Sequence, residues 1–439
     1  MTGQTFEYAC RSANRVSRRT LLQTAGCGAA SWLSGLSRVL ARDAEQAPRG
    51  ERPKSLILLW MQGGPSQLET FDPHPGSPIG GETQAIATAN PGVEIASGLE
   101  QVADVMDQIS LVRSVTSKEG DHERATYNTK TGFRPDPTLV HPSIGAVLCH
   151  QFQGGAKIPT HVTISSGQFP GRGGYLGDQY DAFKIGDPQN PIPDVKASVG
   201  EKRFQRRLTD LFNVVEAEFA RGRLRNADAQ KTLHRVSMRA ARTMMSSAQL
   251  KAFDVSHYSQ AERDAYGDSA FGRGCLAARG LIEAGVRCVE VTLNGWDSHI
   301  NNHELQAGWV ATLDPAYAAL LRDLKARDLL DSTMVVWAGE FGRTPRINLA
   351  EGRDHWPHGF TVALSGGGIR PGVVYGETAA DPKLDEGNPL QDVKQPRNIQ
   401  DVHATILKAF GVDSERMLDT PIGRPMAISE GTPITELLL

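Results

Sequence analysis

The residues of this chain best suited to chemistry are acidic groups and histidines set beside glycines. Asp297-Ser298-His299 places a carboxylate and an imidazole two residues apart. In an extended segment those positions face the same side, so both can reach one cation. Glu340 adds a second carboxylate, and His355 and His358 add two imidazoles. Such side chains around an open position suit Zn²⁺, Mn²⁺ or iron, and the ion makes a water acidic enough to attack. Arg343, three residues after Glu340, carries the planar fork that grips phosphate or sulfate. Asp121-His122 opens a helical segment, where Asp caps and the helix start favours an anion. Plainer readings stand beside these: Asp297-Ser298 capping the next helix, Arg343 pairing with Glu340, and Asp121 as an ordinary cap with an incidental His122. His303 and His403 read as surface residues.

The flanking elements decide whether these groups can meet. Ser55 to Met61 is a continuous apolar run that stops at Gln62-Gly63-Gly64-Pro65, the pattern of a strand buried on both faces followed by a glycine turn. Ile109 to Val115 reads as a second strand, and Glu123 to Lys130 as a short helix ending at Thr131-Gly132. Residues 140–185 read as loops with short strands. Residues 201–265 read as a helical insertion rich in Arg, Ala, Leu, Glu and Met. Further on, a helix over Ala270–Glu283 precedes a strand from Val286 to Leu293 that empties into Asn294-Gly295-Trp296-Asp297. A helix with Leu305, Trp309, Leu313, Leu320, Leu321 and Leu324 on one face leads to a strand from Thr333 to Ala338, which empties into Gly339-Glu340. Phe360 to Leu364 is a further apolar run, and Asp401 to Phe410 a helix with Asp401 as its cap. A strand–helix–strand unit of this length implies parallel strands with a right-handed crossover. Parallel strands end on one rim, where ligands bind in open α/β folds. Gln62, Asp297, His299, Glu340 and Arg343 therefore converge although far apart in sequence. The expected fold is α/β, a mixed, mostly parallel sheet sandwiched by helices.

Composition narrows the remaining classes. The 439 residues are 39% hydrophobic with a net charge of −3, which excludes low-complexity disorder. Residues 1–41 hold five Arg against one Glu, so the rest carries 42 basic and 49 acidic groups, a net of −7. Neither nucleic acid nor anionic lipid is expected as a partner. No apolar run after the N-terminal segment nears the ~20 residues of a membrane span. Ser17-Arg18-Arg19-Thr20-Leu21-Leu22, the apolar stretch to Leu36 and the exit at Val39-Leu40-Ala41 resemble a twin-arginine export signal over residues 1–41. Residues 42–54 read as a tether, and periplasmic or extracellular location is expected. Cys149, Cys275 and Cys288 lack metal or disulfide spacing and read as buried thiols.

Four motifs together resemble one family. Gly63-Gly64-Pro65-Ser66 with Thr70-Phe71-Asp72, Gly295-Trp296-Asp297-Ser298-His299, Gly339-Glu340-Phe341-Gly342-Arg343-Thr344-Pro345 and Gly352-Arg353-Asp354-His355-Trp356-Pro357 are similar to the DUF1501 proteins. These are uncharacterised, typically exported bacterial proteins that look like a branch of the alkaline phosphatase/sulfatase superfamily. The resemblance implies an alkaline phosphatase-like domain over residues 55–439. It also implies hydrolysis of a phosphate or sulfate ester, small or polysaccharide, with a divalent ion such as Zn, Mn, Ca or Mg. By position, Asp297, His299 and one of His355 or His358 match one superfamily metal site. Gln62 falls where the superfamily has Asp, Glu340-Phe341 where it has an Asp-His ligand pair, and His122 near its Ser/Thr nucleophile. One metal site is thus expected to be retained and the second degraded. His122 and Arg343 are expected to act in catalysis, and Gln62, Asp121 and Arg343 to meet substrate. The alternative is a non-catalytic protein that binds a polyanion or glycan at the same rim.

Overall fold

A computed structural model describes residues 55–152, 156–167, 169–193, 195, 199–211, 241, 243–245, 247–385 and 387–439. The chain divides into a unit of residues 1–49 and a unit of residues 50–439, and every described residue lies in the second. The expected signal and tether lie outside the described residues, and the expected insertion over 201–265 does so in part.

The run from Ser55 forms β1 (Ser55–Gln62), buried along nearly its whole length. Successive side chains of a strand face opposite sides, so one apolar strand can feed two cores. Ile57, Leu59 and Met61 enter one core, while Leu56, Leu58 and Trp60 enter the other. The remaining strands of the same sheet are β2 (Ile109–Thr116), β3 (His161–Ile164), β4 (Phe183–Ile185), β5 (Cys288–Asn294), β6 (Thr333–Ala338), β7 (Phe360–Gly366), β8 (Val374–Tyr375) and β9 (Arg397–Asn398). Among the described residues they form one nine-stranded sheet in the order β8-β2-β7-β6-β1-β5-β3-β4, with β9 also on β2. Every pairing is parallel except those of β7, which runs antiparallel to both β2 and β6. The mixed, mostly parallel sheet expected from the sequence is therefore present.

Helices cover both faces. α1 (His122–Thr131), α2 (Ile144–Gln151), α3 (Glu201–Asp210), α4 (Ala270–Glu283), α5 (Asn302–Ala326) and α6 (Ile399–Ala409) follow in chain order. α4 and α5 fill the core shared with Ile57 and Leu59; α2 and α6 fill the other. The sequence reading missed α2, which lies inside the stretch read as loops. β5 and β6 are parallel as expected, yet they do not pair with each other, because β1 lies between them. Leu305 is exposed rather than buried on α5. α6 starts two residues earlier than expected: Asn398 is its N-cap, and Asp401 returns its carboxylate to the Asn398 amide at 3.3 Å. His403 is buried on α6 with Nε2 2.7 Å from the Thr129 carbonyl, not on the surface. The three cysteines are free and buried, as expected. No described helix is long and apolar enough to cross a membrane.

Candidate metal centre

The rim where β1, β5 and β6 end carries the centre. Gln62 and Asn294 are register partners at the ends of β1 and β5, and Glu340 follows the end of β6 by two residues. The glycine turn after β1 permits a close approach: Gly63 has a φ of +114°, and a Cβ there would meet the Asp297 amide nitrogen at 2.5 Å. Gly63 instead donates its N–H to Glu340 Oε1 at 2.8 Å. A two-residue antiparallel ladder, Gly342–Arg343 with His355–Trp356, brings His355 to the same place.

Four side chains meet there. His299 Nε2 lies 3.1 Å from Asp297 Oδ1, and His355 Nε2 lies 3.3 Å from the same oxygen. The two nitrogens are 2.9 Å apart. His122 Nε2 approaches the other carboxylate oxygen, Asp297 Oδ2, at 3.2 Å. Ligand atoms of His122, Asp297 and His355 all lie within 4.8 Å of one another. Two nitrogens and an oxygen bound tetrahedrally at 2.0–2.1 Å stand about 3.3 Å apart, so the His299–His355–Asp297 triangle has nearly the right edges.

The tautomers sharpen this. His122 Nδ1 faces Glu340 Oε1 at 2.8 Å, His299 Nδ1 faces Asp354 Oδ1 at 2.8 Å, and His355 Nδ1 faces the Gly120 carbonyl at 2.7 Å. Each partner is an acceptor, so each Nδ1 carries a proton and, in the neutral ring, each Nε2 presents a lone pair. Three lone pairs then converge on one carboxylate. His122 Nε2 is buried without a hydrogen-bond donor. Such a group is stable when a cation or added protons sit among it, and it is the donor set a divalent metal uses.

Electrostatics agree. Burial pushes the Asp297 carboxyl up, but the Arg343 hydrogen bond and the charges of Arg343 and His122 prevail and hold it down at about 2. The hydrogen bond that His122 donates to Glu340 raises the His122 pKa against the opposing effect of burial. Burial lowers that of His355.

Several expected roles change place. Glu340 stands behind His122, fully buried, and orients it instead of joining the ligand set. Arg343 is also fully buried and donates to the carbonyls of Gly63, Gly64 and Arg353 and to Asp297 Oδ1 at 2.7 Å. Four of its five N–H groups are thereby used on the protein, so it is a brace for Asp297 and not an open anion clamp. Its acidic partner is Asp297, not Glu340. Asp121 spends its carboxylate capping α1, accepting from the amides of Glu123 and Arg124 at 3.1 Å. The Gln62 side chain rests against Gly167. His355 and not His358 joins Asp297; His358 lies outside the cluster. Asp297 does not cap α5, whose N-cap is Asn301. Sequence reasoning overlooked Asp354, although a carboxylate beside a candidate ligand histidine is a recognisable signal for an orienting partner.

No curated protein matches this sequence. Among solved structures, the chain is similar to an alkaline phosphatase superfamily protein from Vibrio parahaemolyticus, at 13% identity, with 83% of this chain and 68% of that one covered and a TM-score of 0.37. It is similar to a sulfatase from a Pseudoalteromonas species at 12% identity, covering 87% and 71%, with a TM-score of 0.39. A lipoteichoic acid synthase from Listeria monocytogenes matches at 10% identity, covering 88% and 76%, with a TM-score of 0.41. One family, described as a protein of unknown function (DUF1501), matches residues 53–438, and the chain belongs to it.

Proposed function

We propose that this protein is an exported, metal-dependent hydrolase of phosphate or sulfate esters. One observation carries the reading: three imidazoles, each with Nδ1 on an acceptor, turn Nε2 toward Asp297, and two of them form a triangle with its Oδ1 at 2.9–3.3 Å. Asp297, His299 and His355 would hold the ion, which supplies positive charge and Lewis acidity at the rim. Asp354 and the Gly120 carbonyl orient the two imidazoles, and Arg343 fixes the carboxylate. His122, backed by buried Glu340, is placed to give or take a proton at Nε2 next to Asp297 Oδ2. The resemblance of the motifs to the alkaline phosphatase/sulfatase superfamily supports the ester class, and the twin-arginine pattern supports export.

A second reading, non-catalytic binding of a polyanion or glycan at this rim, is favoured by one observation: the start of α1 offers the His122 imidazole where the family resemblance implies a hydroxyl nucleophile. Metal analysis of the purified chain, with turnover of aryl sulfates and aryl phosphates, separates the two. The hydrolase binds about one divalent ion and loses both metal and turnover in Asp297→Ala. Metal without turnover on both ester classes supports the second reading, and absence of metal removes the first.

A further inference from the structure

One side chain that is not itself part of the centre touches two of its members. Asn348 lies in the short segment between Arg343 and Asp354, half-buried, and its amide group makes four hydrogen bonds. Oδ1 accepts from the backbone amides of Ala350 and Gly352, both at 2.9 Å. Those backbone groups can only donate, so the oxygen must face them and the NH₂ must face the other way. There Nδ2 donates to the His299 carbonyl at 3.0 Å and to Asp354 Oδ1 at 3.3 Å. Asp354 Oδ1 is the same atom that accepts from His299 Nδ1 at 2.8 Å. One amide therefore grips a single histidine of the centre twice, by its backbone and through the carboxylate that orients its ring.

The backbone around it needs such a grip. Asn301 donates its N–H to the Ala350 carbonyl at 3.1 Å, Asn302 to the Glu351 carbonyl at 2.8 Å, and Ile300 and Glu351 form an antiparallel bridge. Asn301 and Glu351 hold φ of +45° and +58°, the left-handed region that residues other than glycine enter at a cost. A Cβ at Gly352 would run into the His299 carbonyl, so the two segments meet at a residue without a side chain. Conformations of this kind persist when the surrounding contacts over-determine them. Asn348 supplies two contacts within its own turn and two across it. An asparagine that only closes a turn needs the first two. The second two end on His299 and Asp354, where a residue serving the centre would place them.

We infer that Asn348 is a positioning residue of the metal centre, holding His299 Nε2 on Asp297 Oδ1 by fixing both the backbone of His299 and the carboxylate behind its ring. The consequence for an ion rests on the metal reading above; the orientation of the ring does not. The test is a double-mutant cycle on the full chain, with Zn²⁺ affinity read by chelator competition. Asn348→Ser keeps a hydroxyl acceptor for the Ala350 amide but is too short to reach Asp354. It is expected to weaken Zn²⁺ binding about tenfold with little change in melting temperature. In an Asp354→Ala background the same change is expected to cost about threefold or less, since residues that act through one another are not additive. Equal losses in the two backgrounds, or wild-type affinity in folded Asn348→Ser, overturn the assignment. A wild type that binds no Zn²⁺ removes the hydrolase, and a second measurement then decides: nitrogen-15 histidine NMR of the metal-free chain at about pH 8.5, where an ordinary imidazole is neutral. The Nδ1–H form of His299 in wild type, shifted toward Nε2–H in Asn348→Ser, keeps the positioning role; the same tautomer in both overturns it. Should Asn348→Ser not fold, Asn348→Asp takes its place in both measurements, because it keeps the two acceptor contacts and drives Asp354 from the ring by repulsion between carboxylates.

Discussion

Arg353 and Asp354 are consecutive, yet they belong to opposite kinds of region. Arg353 is fully buried and saturated: it donates to Glu69 Oε1 at 2.9 Å and to the carbonyls of Ile79, Thr344 and Pro345. Lys130 and Glu290 repeat the pattern at 2.8 Å under the sheet, with the Phe169 carbonyl taking a further Lys130 proton. Asp354, by contrast, is more than half exposed and turns toward His299 in a group that has more acceptors than protons. Where every charge has its partner, the residues hold the rim in shape. Where lone pairs outnumber donors and solvent can enter, the residues await a ligand. The difference separates scaffold from site between two adjacent residues.

The largest expected effect breaks the closed region. Arg353→Met leaves Glu69 buried without its cation and should destabilise the fold by about 3–5 kcal/mol, measured by urea unfolding. Adding Glu69→Leu should recover part of that loss, since three carbonyls still lack their donor. An Arg353→Met protein as stable as wild type would erase the contrast.

A second measurement uses pH. Burial drives the His403 pKa from 6.5 down to about 4. The unfolded chain therefore binds a proton between those values that the folded chain refuses, so stability rises with pH from about 4 to 6.5 and falls as pH drops through that window. The full difference is about 3 kcal/mol by the usual conversion. His403→Gln, which keeps a donor for the Thr129 carbonyl, should flatten that slope in unfolding curves at pH 4.5, 5.5 and 7.

The smallest effect probes the open region. Asp354→Ala removes the acceptor that fixes the His299 tautomer and should weaken divalent-ion binding 10–100-fold, with little change in melting temperature. A chelator competition titration reads the first and a thermal melt the second. A large loss of stability with unchanged metal affinity would move Asp354 into the scaffold.

Much of this was legible in the residues. The apolar run of β1, the β-branched β5 and the breakers after each strand follow from local pattern, and they require Asp297 and Glu340 to lie on one rim. The choice of His355 over His358 was not legible. Both follow the same motif, and it is the ladder pairing His355 with Arg343 that turns one of them toward Asp297. Arg343 misled for a related reason. An arginine beside a glycine reads the same whether its guanidinium faces solvent or the turn beneath it, and here the carbonyls of Gly63 and Gly64 claim it. Asp121 and His122 show the same limit: local sequence placed both at a helix start, but only the β6 end, arriving 218 residues later with Glu340, decides that the histidine is the one that faces the centre.

The sequence by itself determined the layered α/β plan, the rim and the residue types that can hold a cation, because periodicity and turn chemistry act between near neighbours. The tertiary structure alone decided which nitrogen of each histidine carries its proton and which arginine is sealed. Those outcomes depend on partners that only the fold brings near, from Asp354 opposite His299, 55 residues on, to Gly120 opposite His355, 235 residues back, and no local pattern encodes them.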